Sequence, residues 1–145
     1  MLEACGVPVE RLWGGRPILA PRGEGWEGGH AYNAACVRLG PADEALSRAL
    51  LGEGHPLPAE GIVAVLYRAQ PSDSPGFHAP RSSIGLALFT PEMELIRRLP
   101  EPVIRPTDDP RGFDHNGAED PRVTRIGDTF YLVYCGYTAR AGGDS

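Results

Sequence analysis

The chain has 145 residues, 41% of them hydrophobic, and a net charge of −5. That length and apolar content suffice for one ordinary core, while the acidic balance and scattered basic residues argue against nucleic acid or an anionic membrane as a partner. No run approaches the roughly 18 apolar residues of a membrane-spanning helix, and no basic region precedes an apolar stretch at the N-terminus, so no signal peptide is expected and the expected location is cytoplasmic.

Nineteen glycines and fifteen prolines make about twice the usual share of those residues. Such a chain is rich in turns, which favours many short strands over long helices. Residues 1–29 read as loop, with Trp13 and Trp26 among several glycines. A first strand is expected over His30 to Leu39. Pro41 to Gly61 reads as an insertion with a helical stretch from Asp43 to Leu51. Ile62 to Ala69 is a second strand, and Gln70 to Pro80 a polar loop. Ser82 to Phe89 is a third strand, Met93 to Arg98 a fourth, and residues 99–118 a second proline-rich loop. After Thr138 no finishing element is expected.

The last element is a hairpin, Val123 to Ile126 and Thr129 to Cys135 around Gly127-Asp128. Glycine takes positive φ without steric cost, which suits a two-residue turn. Phe130, Tyr131, Val133 and Tyr134 are good strand formers. Pro121 cannot donate to a ladder, so the strand is expected to begin after it, with Asp120 at or just before the strand end. Adjacent side chains on a strand point to opposite sides, so Glu119 and Asp120 are not expected to act together.

Asp120 at a cavity mouth is a candidate general acid. Glu119 is a candidate for binding sugar hydroxyls or for holding Arg122. The plainer reading is an aspartate that caps its loop beside an Arg-Glu ion pair. Cys5, Cys36 and Cys135 form no metal-ligand pair and cannot all pair internally, so reduced thiols are expected, with Cys36 and Cys135 as small core residues. The four histidines, His30, His55, His78 and His115, have no regular spacing and suggest no metal site.

A weak internal repeat is present. Asn33 to Leu39 aligns with Asp120 to Ile126 at an offset of 87, so that Asn33 meets Asp120 and Arg38 meets Arg125. Four strands, a long connection and a new hairpin read as one antiparallel unit and half of a second. Repeated four-stranded units suggest a β-propeller, with Asn33 and Asp120 both directed into one axial cavity. The smallest propellers need about four blades. The chain is therefore read as the N-terminal part of a single propeller catalytic domain in a longer protein.

The stretch Gly117-Ala-Glu-Asp-Pro-Arg122, followed by the Gly-Asp hairpin and an aromatic strand ending in Tyr137-Thr138, resembles glycoside hydrolase family 130, the β-mannoside phosphorylases and related β-mannosidases. Tyr32-Asn33-Ala34-Ala35, Leu66-Tyr67-Arg68-Ala69 and Ile84-Gly85-Leu86-Ala87 resemble further family segments, in order, over about residues 30–139. The resemblance implies an all-β fold, a five-bladed β-propeller of which this chain covers about the first one and a half to two blades. It implies a sugar pocket on the propeller axis and Asp120 as the catalytic acid. Asn33, Glu119, Arg122, Arg68 and Arg81 are the expected substrate-binding residues. No cofactor is implied beyond inorganic phosphate as co-substrate. The expected partner is an oligosaccharide, with a homo-oligomer left open. The family pattern often has Arg directly before Ile-Gly, where this chain has Ser83; Arg81 is the candidate to reach round in its stead. Phosphorolysis is favoured. The alternatives are hydrolysis within the same family, another five-bladed glycosidase acting on arabinan, xyloside or fructan, and a sugar-binding propeller without catalysis.

Overall fold

A computed structural model describes residues 12–72 and 81–138. Cys5, His78, most of the 70–80 loop and the tail after Thr138 lie outside the described residues. Among the described residues the strands are β1 (His30–Leu39), β2 (Ile62–Gln70), β3 (Ser83–Phe89), β4 (Leu95–Arg98), β5 (Gly117–Ile126) and β6 (Thr129–Tyr137), with one α-helix, α1 (Glu44–Leu51), and short 3-10 turns. The chain is thus mostly β. β1 to β4 form an antiparallel sheet in sequence order, and β5 and β6 a separate two-stranded ribbon. No helix among the described residues is long and apolar enough to cross a membrane.

β2 and β3 are almost continuously apolar, and both of their faces are covered. On one face Ile62, Ala64, Leu66, Ile84, Leu86 and Leu88 meet Leu50 and Leu51 of α1 and Val123, Phe130 and Tyr134 of the hairpin. On the other, Val65, Tyr67, Ala69, Ala87 and Phe89 pack under Leu19, Trp26 and Met93. The period of two along each strand sends alternate residues to these two cores. Gly85 pairs with Tyr67 across the ladder. A β-carbon at Gly85 would overlap the Tyr67 ring and crowd Trp26, so the stacked Trp26–Tyr67 pair depends on that glycine.

A buried carboxylate fastens the segment before β1 to this second face. Glu27 is 2% exposed. Its Oε2 accepts from the Tyr67 hydroxyl at 2.7 Å and pairs at 2.6 Å with Arg98 Nη2, which is not aligned for a hydrogen bond. Its Oε1 lies 2.8 Å from Arg22 Nε. Burial pushes the Tyr67 phenol up to about 12, and the bond to Glu27 adds to the effect. In the unfolded chain the phenol ionises near 10. The folded state holds its proton more tightly, so this stability is complete below the unfolded value and is lost as pH rises through the folded one. Denaturant melts at about pH 9 and about pH 11 should show that loss, and Tyr67→Phe should flatten part of it. An identical slope in the variant would remove Tyr67 as the cause.

Several expectations are corrected. β5 begins at Gly117 and runs through Pro121, because its register slips between Glu119 and Arg122. Asp120 and Pro121 together oppose the single residue Tyr134 in a bulge, where a proline without an N–H costs no ladder bond. Asp120 is therefore inside the strand. Cys36 and Cys135 are exposed free thiols and not small core residues; β1 and β6, which carry them, each pair with a strand on one side only. The fourth strand starts at Leu95, because Met93 has φ of 66° and closes a turn on Thr90. The hairpin turn is as expected, with Gly127 at φ of 60° between paired Ile126 and Thr129.

The offset of 87 is carried into three dimensions. β1 and β5 have the same span under it, and each slips register at the same place, between Tyr32 and Ala35 and between Glu119 and Arg122. Asn33 and Asp120 both have φ of 48°. That left-handed conformation disfavours most side chains and is most tolerated by glycine, Asn and Asp. The repeat therefore has a backbone cause: each copy carries a bulge that needs a short polar residue.

Candidate active site

The two bulges face each other. Asn33 Nδ2 donates to Asp120 Oδ1 at 2.7 Å. Arg68, on β2, reaches the same place from beneath. Its Nη1 is 3.4 Å from Asp120 Oδ1, and its Nη2 is 2.6 Å from Glu119 Oε1. Its Nε donates to Ser82 Oγ at 2.9 Å, and its guanidinium lies 5.0 Å from the centre of the Tyr32 ring. Arg68 is 7% exposed, so the planar fork serves both acids inside the protein.

Here the opposite-sides expectation for Glu119 and Asp120 fails. A regular strand would separate them, but the bulge turns both carboxylates to one guanidinium. They differ in access: the Asp120 side chain is 40% exposed and that of Glu119 17%. Asp120 is thus the more solvent-facing of the two carboxylates. Burial raises the Tyr32 phenol above its usual value, with Arg68 opposing and the two carboxylates adding.

Ser82 organises the floor. It is fully buried. Its hydroxyl accepts from Arg68 and, at 3.0 Å, from Gln70 Nε2, and donates to Glu119 Oε1 at 3.3 Å. Its carbonyl accepts from Ala118 N at 2.9 Å, tying the start of β5 to the approach to β3. Sequence reasoning gave Ser82, Gln70 and Tyr32 no role. Gln70 follows Arg68 by two residues and shares its face of β2, which was the one available signal.

Arg81 and Arg122 are not brought to the cluster. Arg81 bonds the carbonyls of His115 at 2.8 Å and Thr107 at 2.5 Å, and Asp108 at 2.9 Å. It pins the 106–115 loop. Arg122 Nη1 donates to the carbonyl of Pro121 at 2.8 Å, so Glu119 holds Arg68 and not Arg122. His115 Nδ1 is 3.1 Å from the Thr107 carbonyl, within the same loop. The Tyr134 hydroxyl donates to Asp114 at 3.0 Å, and its ring packs on the core. Ser83 is buried.

The described geometry offers one solvent-facing carboxyl with an amide partner and a cation, on adjoining strand bulges. The family model of beta-1,4-mannooligosaccharide phosphorylases matches residues 60–142, from just before β2 to beyond β6. The chain belongs to glycoside hydrolase family 130. Comparison with curated proteins and with solved structures returned no match. The matched span of this family 130 chain contains Arg68, Ser82, Glu119 and Asp120, while Asn33 lies before it. Asn33, expected at the site from the internal repeat, is joined to it by its bond to Asp120.

Proposed function

We propose that the chain supplies the acid side of a β-mannoside phosphorylase site. Asp120 gives a proton, through a hydroxyl of the bound mannose, to the oxygen that leaves the anomeric carbon. The C1–O bond to the leaving sugar breaks as inorganic phosphate forms a new C1–O bond on the opposite face, yielding mannose 1-phosphate with inversion. Asn33 and Arg68 hold the acid in place. The two sheets would be one blade and part of the next in a five-bladed propeller, with the matched bulges of β1 and β5 on its axis.

The observation that carries this reading is the unequal use of the two carboxylates. Glu119 is taken up at 2.6 Å by Arg68, which leaves Asp120 as the accessible one. An inverting hydrolase uses a second carboxylate to activate water. Phosphate is already an anionic nucleophile and needs a cationic cradle instead. A hydrolase is the second reading, supported by the buried Ser83 where the family pattern often has Arg, and by the commitment of Arg81 to the 106–115 loop.

The test is product analysis of the natural full-length protein with β-mannobiose and manno-oligosaccharides, with and without inorganic phosphate. Phosphate-dependent mannose 1-phosphate is expected. Free mannose formed equally well without phosphate would replace phosphorolysis by hydrolysis. No product from any mannoside would end the β-mannoside assignment.

A further inference from the structure

The proposed chemistry leaves Glu119 without a part, yet it makes the shortest ion pair of the cluster. Arg68 lies 2.6 Å from Glu119 and 3.4 Å from Asp120. The preference is built in. The Ser82 hydroxyl has one proton and two lone pairs. It takes Arg68 Nε and Gln70 Nε2 on the lone pairs and gives the proton to Glu119. Ser82 thereby holds both ends of the Arg68–Glu119 pair and fixes the guanidinium toward the deeper acid. Asp120 keeps its close contact with a neutral amide, Asn33, at 2.7 Å.

We propose that Glu119 is a positioning residue that draws the Arg68 guanidinium closer to itself than to Asp120, which accepts from it only at 3.4 Å, so that Asp120 can carry the proton it must deliver. This rests on the reading of Asp120 as the acid. A nearby cation favours the ionised form of a carboxyl, and a nearby anion favours the protonated form. An acid catalyst beside an uncompensated arginine would enter the reaction already ionised. Glu119 offsets that cation at closer range than Asp120 feels it. Once the proton has left, Arg68 is one small movement from the new carboxylate. The groups that face Asp120 are Arg68 from β2, Glu119 from β5, and the Tyr32 phenol and Asn33 amide from β1.

The test is the pH profile of kcat/KM for phosphorolysis by the full-length protein. Removing the Glu119 charge should move the alkaline limb of Glu119→Gln to lower pH by about one to two units, with activity largely recovered on the acid side. The double variant Arg68→Met/Glu119→Gln removes both charges of the pair and should return the limb to its wild-type position. An even loss at every pH in Glu119→Gln, with the limb unmoved, would give Glu119 a merely structural role and overturn the proposal. Should Glu119→Gln fail to fold, the double variant decides: a restored limb supports the compensation, and a displaced limb sinks it. Asp120→Asn in the same series separates the two readings. Full turnover in that variant removes the acid assignment and this inference with it. Loss there beside an unmoved limb in Glu119→Gln removes this inference alone.

Discussion

Asp120→Asn is expected to lower turnover of β-mannosides by about 10²–10⁴-fold, the usual contribution of a positioned general acid, and to leave the fold intact. Asparagine has the same shape and tolerates the left-handed φ of 48° that Asp120 adopts. Its amide oxygen can still accept from Asn33. What it loses is the transferable proton and the attraction to Arg68 at 3.4 Å, which is small for a side chain 40% exposed. Thermal melting should therefore be almost unchanged, and mannobiose should still bind in a calorimeter. Turnover lost with binding kept identifies the acid. Turnover and binding both unchanged would leave Asp120 as a bulge residue with no chemical part.

Arg68→Met is expected to have the largest effect on stability. Arg68 is 7% exposed and bonds Glu119, Asp120 and Ser82 at once. Removing one partner of a buried pair costs about 3–5 kcal/mol, because the other charge is left without compensation. For a domain of this size that is a fall in melting temperature of about 10 °C. Two carboxylates would then face each other across one bulge, and Ser82 would lose a donor. Adding Glu119→Gln should recover much of the loss, since a matched pair of neutral residues leaves no buried charge. A single variant that melts with the wild type would show that the cluster does not join β2 to β5 energetically.

Much of the frame was legible because it depends on local pattern. The apolar runs Ile62 to Ala69 and Ser82 to Phe89 read as buried strands by their length and flanking turns, and Gly127-Asp128 as a tight turn between β formers. Two of the errors have one origin. Pro121 was read as a strand boundary and Glu119 as pointing away from Asp120, both on the assumption of a regular ladder. A bulge breaks that assumption, and one extra residue in a strand leaves almost no trace in hydropathy. The faint trace it did leave was the alignment of Asn33 with Asp120, two residue types that tolerate positive φ. The cysteines were misplaced for a different reason: strand period tells which residues share a face, but not whether the strand ends up at the edge of its sheet.

By itself the sequence determined the strand order, the hairpin and the family, because each is written in contiguous residues. Only the tertiary structure decided that Arg68 serves both acids, that Ser82 and Gln70 form the floor, and that Arg81 and Arg122 belong elsewhere. Arg68 and Glu119 are 51 positions apart. Their meeting requires β2 to pass beneath two bulges whose backbones turn out of register together. A side chain's partner is set by where backbones bend, and that is fixed by packing between elements and not by the order of residues within one.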